Sequence, residues 1–203
     1  MGSEEEKVGK IYKLVPIIGT IMRSKEEEIL ELFFEQPTRE WHFEEILTAV
    51  GIARSKALHW LKKFAQEQLI RRIKAKGAMP YYIGNYNSPF YKNRKRIFAL
   101  QKLYESGLLP HLGSLKNART VILFGSFARS DWHQESDIDL FIYGDPEGLQ
   151  IAEYELKLHR DLEIFICRKK EELAKFGMGL IKNIMKGILI KGDLDFITVN
   201  LNA

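Results

Sequence analysis

The chain has 203 residues, of which 45% are hydrophobic and 29% charged, more than one small core needs, so two domains are expected. No apolar run approaches the roughly 20 residues that cross a bilayer, which argues against a membrane-spanning protein and for a soluble, cytoplasmic one. The single cysteine, Cys167, allows neither an intrachain disulfide nor a CxxC metal site, in keeping with a reducing compartment.

The net charge of +4 conceals halves of opposite sign. Residues 1–110 carry 19 Lys and Arg against 13 Glu and no Asp, whereas residues 111–203 carry 12 basic and 14 acidic residues. Twelve basic residues and one acidic residue, Glu67, lie between Arg54 and Arg96. A surplus of that density has the size of a nucleic-acid footprint.

Residues 1–23 read as an amino-terminal arm. Its apolar stretch 11–22 contains Lys13 and Pro16, is too short to span a membrane, and suits packing or dimerisation, so a homodimer is expected. Ser24 with Glu27 forms a capping box, and Ile29, Leu30, Leu32 and Phe33 follow at helical spacing, predicting a helix that ends near Gln36. A second helix, 43–50, turns Ile46, Leu47 and Val50 to one face and stops at Gly51. A third, 54–68, turns Ala57, Leu58, Leu61, Phe64 and Ala65 inward and Ser55, Lys56, His59, Lys62 and Lys63 outward. Runs 69–75 and 79–83, joined by Lys76-Gly77-Ala78, read as a hairpin with a basic tip. Three helices and a basic hairpin suggest a winged helix-turn-helix domain over 24–86. The helical pattern from Pro89 to about Ser106 opens with Lys92, Arg94, Lys95 and Arg96 and is expected to bridge the domains as a linker over 87–112.

Over 113–203, predicted strands 120–124, 137–143, 162–167 and 188–190 alternate with a short turn and helix after Ser126 and with helices 147–159 and 170–185. The alternation means a mixed α/β unit, so the fold class is α/β (α+β), an amino-terminal winged helix domain followed by a small α/β domain.

The chemistry concentrates in 121–140. A buried strand runs into Gly125-Ser126, a turn without bulky side chains that presents amides and a hydroxyl where anions bind well. Asp137 and Asp139 stand two apart on a strand, so both carboxylates face one side while Ile138 and Leu140 enter the core. Parallel carboxylates repel unless neutralised, and hard oxygen ligands beside a phosphate cradle suit Mg2+. Glu163, between Leu162 and Ile164, is a third carboxylate that would complete a two-metal site, with Asp161 on the same face as its rival. Two Mg2+ on Asp137, Asp139 and Glu163 are expected to stabilise attack of an acceptor hydroxyl on the α-phosphate of a nucleoside triphosphate. Gly125, Ser126 and Ser136 are expected to line the nucleotide site, and Arg129 to offset phosphate charge.

Gly125-Ser126, a gap, and then Ser136-Asp137-Ile138-Asp139-Leu140 resembles the signature of the polymerase-beta-like nucleotidyltransferases, and among them the minimal nucleotidyltransferases of bacteria and archaea, over roughly residues 115–195. Ala128-Arg129 match the Ala-Arg-Gly common there, with Ser130 in place of the glycine and Glu163 where an aspartate is usual. The resemblance implies an α/β fold with a small mixed sheet, a small mixed-sheet nucleotidyltransferase domain, and transfer of a nucleoside monophosphate, AMP from ATP foremost, to a partner hydroxyl. Some such domains act as antitoxins on a HEPN-domain toxin, so a HEPN-type protein is an implied partner.

The first half resembles, more loosely, MarR-like winged helices. By that analogy Arg54, Ser55, Lys56 and His59 would reach base edges of DNA, with Lys62 and Lys63 on the same helix, while Arg71, Arg72, Lys74 and Lys76 of the wing would contact phosphates or the minor groove. Protein docking is the competing use of such a domain. For the whole chain, a regulator or antitoxin with an enzymatic half stands against a non-catalytic regulator whose second domain senses nucleotide or dimerises, and against an enzyme with RNA as acceptor. The five histidines show no metal-ligand spacing, although His133 lies in the active-site loop. Trp132 beside it either packs on its own domain or stacks on a base.

Overall fold

In the computed structural model, which describes residues 24–197, the Ser24 hydroxyl accepts the Glu27 amide and the Glu27 carboxylate accepts the Ser24 amide, so the capping box opens α1 (Lys25–Glu35). The expected dimerisation arm, 1–23, lies outside the described residues.

After α1 come β1 (Trp41–His42), α2 (Phe43–Val50), α3 (Arg54–Gln66), β2 (Ile70–Ile73) and β3 (Tyr81–Gly84). The three strands form an antiparallel sheet in the order β1-β3-β2, with Trp41 and Arg72 on either side of Tyr82. At two residues, β1 is too short to carry an alternation of its own; it exists because β3 offers it an edge. Helix α3 stops two residues short of the expected end, and Gln68 takes the left-handed conformation at φ 58° that turns the chain into the hairpin. Leu58, expected in the buried stripe, is 53% exposed.

Helix α4 (Pro89–Glu105) begins on a proline, where the missing amide costs nothing, and buries Tyr91, Lys95, Phe98, Ala99 and Leu103. The chain then turns at Gly107 (φ 88°) into α5 (Leu108–Ser114), so the expected linker is two helices with buried faces. Phe34 of α1 packs edge-on to Tyr91 and Phe98 of α4. One buried cluster among the described residues runs from Ile29 through Phe98 to Trp132, Ile138 and Leu162, and thus joins both halves of the chain.

The second sheet contains β4 (Ala118–Leu123), β5 (Ile138–Gly144), β6 (Leu162–Cys167) and β7 (Ile188–Lys191) in the order β6-β5-β4-β7. Only β5 and β6 pair in parallel, across the connection that carries α7 (Ile151–Leu158), so the sheet is mixed. Between β4 and β5 lie α6 (Gly125–Arg129) and an irregular loop. Helix α7 starts four residues later than expected, because Gly148 at φ 88° interrupts the run. The predicted helix 170–185 is a 3-10 turn, Lys170–Lys175, and a separate helix, α8 (Met178–Met185). The break falls at Phe176, which is extended and packs edge-on to Phe141, and at Gly177, a poor helix former. Phe141 shares a second buried cluster with Ile122, Phe124, Cys167, Ile184 and Phe196. Among the described residues no helix is long and apolar enough to cross a membrane.

Candidate active site

The site is built where β4 ends. Gly125 has φ +65°, and a Cβ added there would stand 1.8 Å from Oδ2 of Asp139, so only glycine lets the turn lie against that carboxylate. The Phe124 amide donates to the Asp139 carbonyl at 3.0 Å, and the Ser126 amide donates to the Asp139 carboxylate. The strand and the turn therefore hold each other.

Asp139 and Glu163 are register partners across the parallel β5–β6 pair, which puts their side chains side by side on one face. Burial, the Glu163 charge, a hydrogen bond shared with Glu163 and the charge of Asp137 together raise Asp139 to about 6, against a small downward pull from the Ser126 amide. The donor set fits a hard divalent cation, which would offset the charge of the crowded carboxylates, Asp137 included. The expected convergence of three carboxylates is not preformed, however. Among the described residues no group of three or more His, Cys, Asp or Glu side chains is disposed to hold a metal ion, and Asp137 lies exposed just before β5.

The rival carboxylate, Asp161, is exposed; its carbonyl accepts the Ile138 amide at 2.9 Å, and its charge is not among those acting on Asp139. Ser136 uses its hydroxyl to accept the His133 amide at 2.9 Å and so braces the loop. The Arg129 guanidinium is engaged by neighbours, donating to Asp131 at 3.0 Å and to Asn183 of α8 at 3.4 Å. Ser130 takes the glycine's part with φ 67°, is buried, and accepts a hydrogen bond from Arg96 at 3.3 Å. Trp132 is buried between Phe127 and Phe98, with both rings nearly parallel to it, and offers no face to a base. His133 is exposed and its ring accepts the Glu135 amide.

Two cations absent from the expected site turn out to organise it. Arg160, 8% exposed, donates to the carbonyls of His133, Gln134 and Ser136 at 2.7, 2.9 and 2.7 Å, and pairs with Glu35 at the end of α1. Lys95, 1% exposed, donates to the carbonyls of Phe34 and Trp132. Lys95 was legible: it stands four residues after Tyr91 and three before Phe98, on the apolar stripe, yet counts with the surface charge if only composition is read. No local pattern marks Arg160.

In the amino-terminal half, Ser55, Lys56, His59 and Lys62 lie exposed on α3 as expected, but Arg54 is paired with Glu44 at 2.7 Å and Lys63 with Glu26 at 3.1 Å. Arg72 lines a shallow groove with Lys62, Leu58 and Tyr82, whereas Arg71 faces Tyr81 on the other side of the sheet. Lys74 and Lys76 are exposed at the tip of the hairpin. With Lys95 buried and Arg54 and Lys63 neutralised, the free positive charge is smaller than the composition implies.

Residues 109–196 match the model of the family described as Polymerase beta, Nucleotidyltransferase. A crystal structure described as a "putative nucleotidyltransferase from Sulfolobus solfataricus" is similar over 48% of this chain and 84% of that one, at 17% identity and a TM-score of 0.26. No curated protein matches the chain. The glycine turn, the paired carboxylates and the mixed sheet all fall within residues 109–196, the segment that matches the polymerase beta nucleotidyltransferase family.

Proposed function

We propose that the chain is a divalent-metal-dependent nucleotidyltransferase that moves a nucleoside monophosphate, AMP foremost, from a nucleoside triphosphate to a hydroxyl, joined to a winged helix domain that binds DNA. The observation that carries the enzymatic half is the juxtaposition of Asp139 and Glu163 in register, with Gly125 against Asp139 and Asp137 within electrostatic reach. Asp139, Glu163 and Asp137 would hold the metal, which when bound supplies charge neutralisation at the phosphate under attack. The side-chain-free turn at Gly125 leaves room for phosphate oxygens to approach the Ser126 hydroxyl, and the exposed Asp137 lies on the open side, where an acceptor hydroxyl can approach. The winged helix reading rests on the order helix, strand, helix, helix, hairpin, and on Lys62 and Arg72 sharing one groove.

The absence of a preformed three-carboxylate group among the described residues, and the engagement of Arg129 by Asp131, favour a second reading in which nucleotide is bound and sensed without turnover. Calorimetric titration of each nucleoside triphosphate with Mg2+ into the wild type and the Asp137→Asn, Asp139→Asn double variant tests the site. Metal-dependent binding lost in the variant supports it; equal binding by both, or none by either, removes it. Incubation with labelled triphosphate then separates transfer from sensing.

A further inference from the structure

The loop 130–136 carries Ser136 and leads directly into Asp137, yet among the described residues it has no helix or strand to stiffen it. Apart from the bonds between His133 and Ser136 within it, its backbone is held from outside. Arg160, in the turn between α7 and β6, takes three of its carbonyls with one nitrogen and turns the other toward Glu35, the last residue of α1. The Gln134 amide donates to the Glu35 carbonyl at 2.9 Å, and the Gln36 side chain donates to that of Gln134 at 2.8 Å. Lys95 from α4 joins the carbonyl of Phe34, again in the last turn of α1, to that of Trp132. The Trp132 ring below the loop is stacked on Phe127, with the Arg160 guanidinium 5.4 Å from its centroid.

A buried cation is strongly unfavourable unless its donors are satisfied, so this arrangement persists only because both cations and the loop carbonyls are used together. Removing one partner strands the others. The shared element is the last turn of α1, which belongs to the amino-terminal half.

We infer that Arg160 and Lys95 are positioning residues that fix Asp137 for metal and nucleotide by tying its loop to the end of α1, so that the nucleotidyltransferase site is completed by the amino-terminal domain. The inference rests on the function proposed above. It also gives that domain a route to the site: whatever displaces the last turn of α1 displaces the loop that leads into Asp137.

The test uses the full chain with Glu35→Gln, Arg160→Lys and Arg160→Met, together with Asp137→Asn as a control. Amide exchange is read over 131–137, and affinity for Mn2+ with ATP is read by electron paramagnetic resonance. Glu35→Gln and Arg160→Lys are the variants expected to stay folded, which circular dichroism checks. The expected result is at least tenfold faster loop exchange and a tenfold weaker Mn2+·ATP affinity in Glu35→Gln, an intermediate loss in Arg160→Lys, and the largest in Arg160→Met. Asp137→Asn is expected to lose the affinity with its loop exchange unchanged. A loosened loop with wild-type affinity, or an unchanged loop in every variant, overturns the positioning role and leaves these residues as fold stabilisers. Absence of Mn2+·ATP binding in the wild type overturns the functional reading instead and withdraws the positioning role with it.

Discussion

Gly125 and Asp139 are so closely apposed that a single methyl group on the glycine would lie within covalent distance of the carboxylate, 1.8 Å from Oδ2. Gly125→Ala therefore has two consequences. The left-handed conformation alone costs on the order of 1–3 kcal/mol for a non-glycine residue. The carboxylate must also leave the Ser126 amide, so loss of Mg2+·ATP binding is expected beyond the fall in stability. Thermal unfolding and calorimetry on the same sample separate the two effects.

Ser130 is the second left-handed residue of this turn, at φ 67°, and its hydroxyl accepts from Arg96. Ser130→Gly exchanges relief of about 1 kcal/mol of backbone strain for the loss of one hydrogen bond of similar size, and should leave stability within about 1 kcal/mol of wild type. Ser130→Ala keeps the strain and loses the bond, and is expected to be about 1 kcal/mol less stable. Denaturant midpoints of the two variants check the order; an alanine variant as stable as the glycine variant would sink this account of the turn.

Burial lowers Lys95 from 10.5 to about 8, against the upward pull of Glu35 and Asp131, while Arg160 adds to the lowering. Between those two values the unfolded chain holds a proton that the folded chain has released, so stability from this group rises as pH climbs above about 8 and is lost as pH falls back through it. Unfolding measured from pH 7.5 to 9.5 should show that rise, and Lys95→Met should flatten it while lowering stability at every pH, since the carbonyls of Phe34 and Trp132 lose their donor. An identical slope in the variant would show that Lys95 is not the titrating group.

If the groove between α3 and the hairpin binds duplex DNA, Lys62→Ala and Arg72→Ala should each lower the slope of log affinity against log salt by about 0.9, the value for one phosphate contact. Arg54→Ala should change it less, because that guanidinium already neutralises Glu44. Fluorescence anisotropy over a salt series reads all three. Equal effects from all three would mean that the Glu44 pair opens on binding.

Turn and strand signals in the site were local, and therefore readable in advance. A glycine after an apolar strand and two aspartates at a spacing of two follow from backbone geometry alone, and the structure places Asp139 where that geometry requires, against Gly125. Arg129 and Ser136 were less readable. Their partners, Asn183 in α8 for one and the Arg160-held loop for the other, are set by how helices pack around the sheet. The same is true of the break at Phe176, where packing on Phe141 overrides a continuous helical pattern.

By itself the sequence determined most of the elements, the strand and glycine turn that meet Asp139, and the division of charge along the chain, because capping, periodicity and turn chemistry act within a few residues. Only the tertiary structure decided which carboxylate stands beside Asp139, which cations are spent on neighbours or buried, and that Arg160 and the end of α1 meet behind Asp137. Those outcomes join residues as far apart as Glu35 and Arg160, whose approach is governed by the shared core.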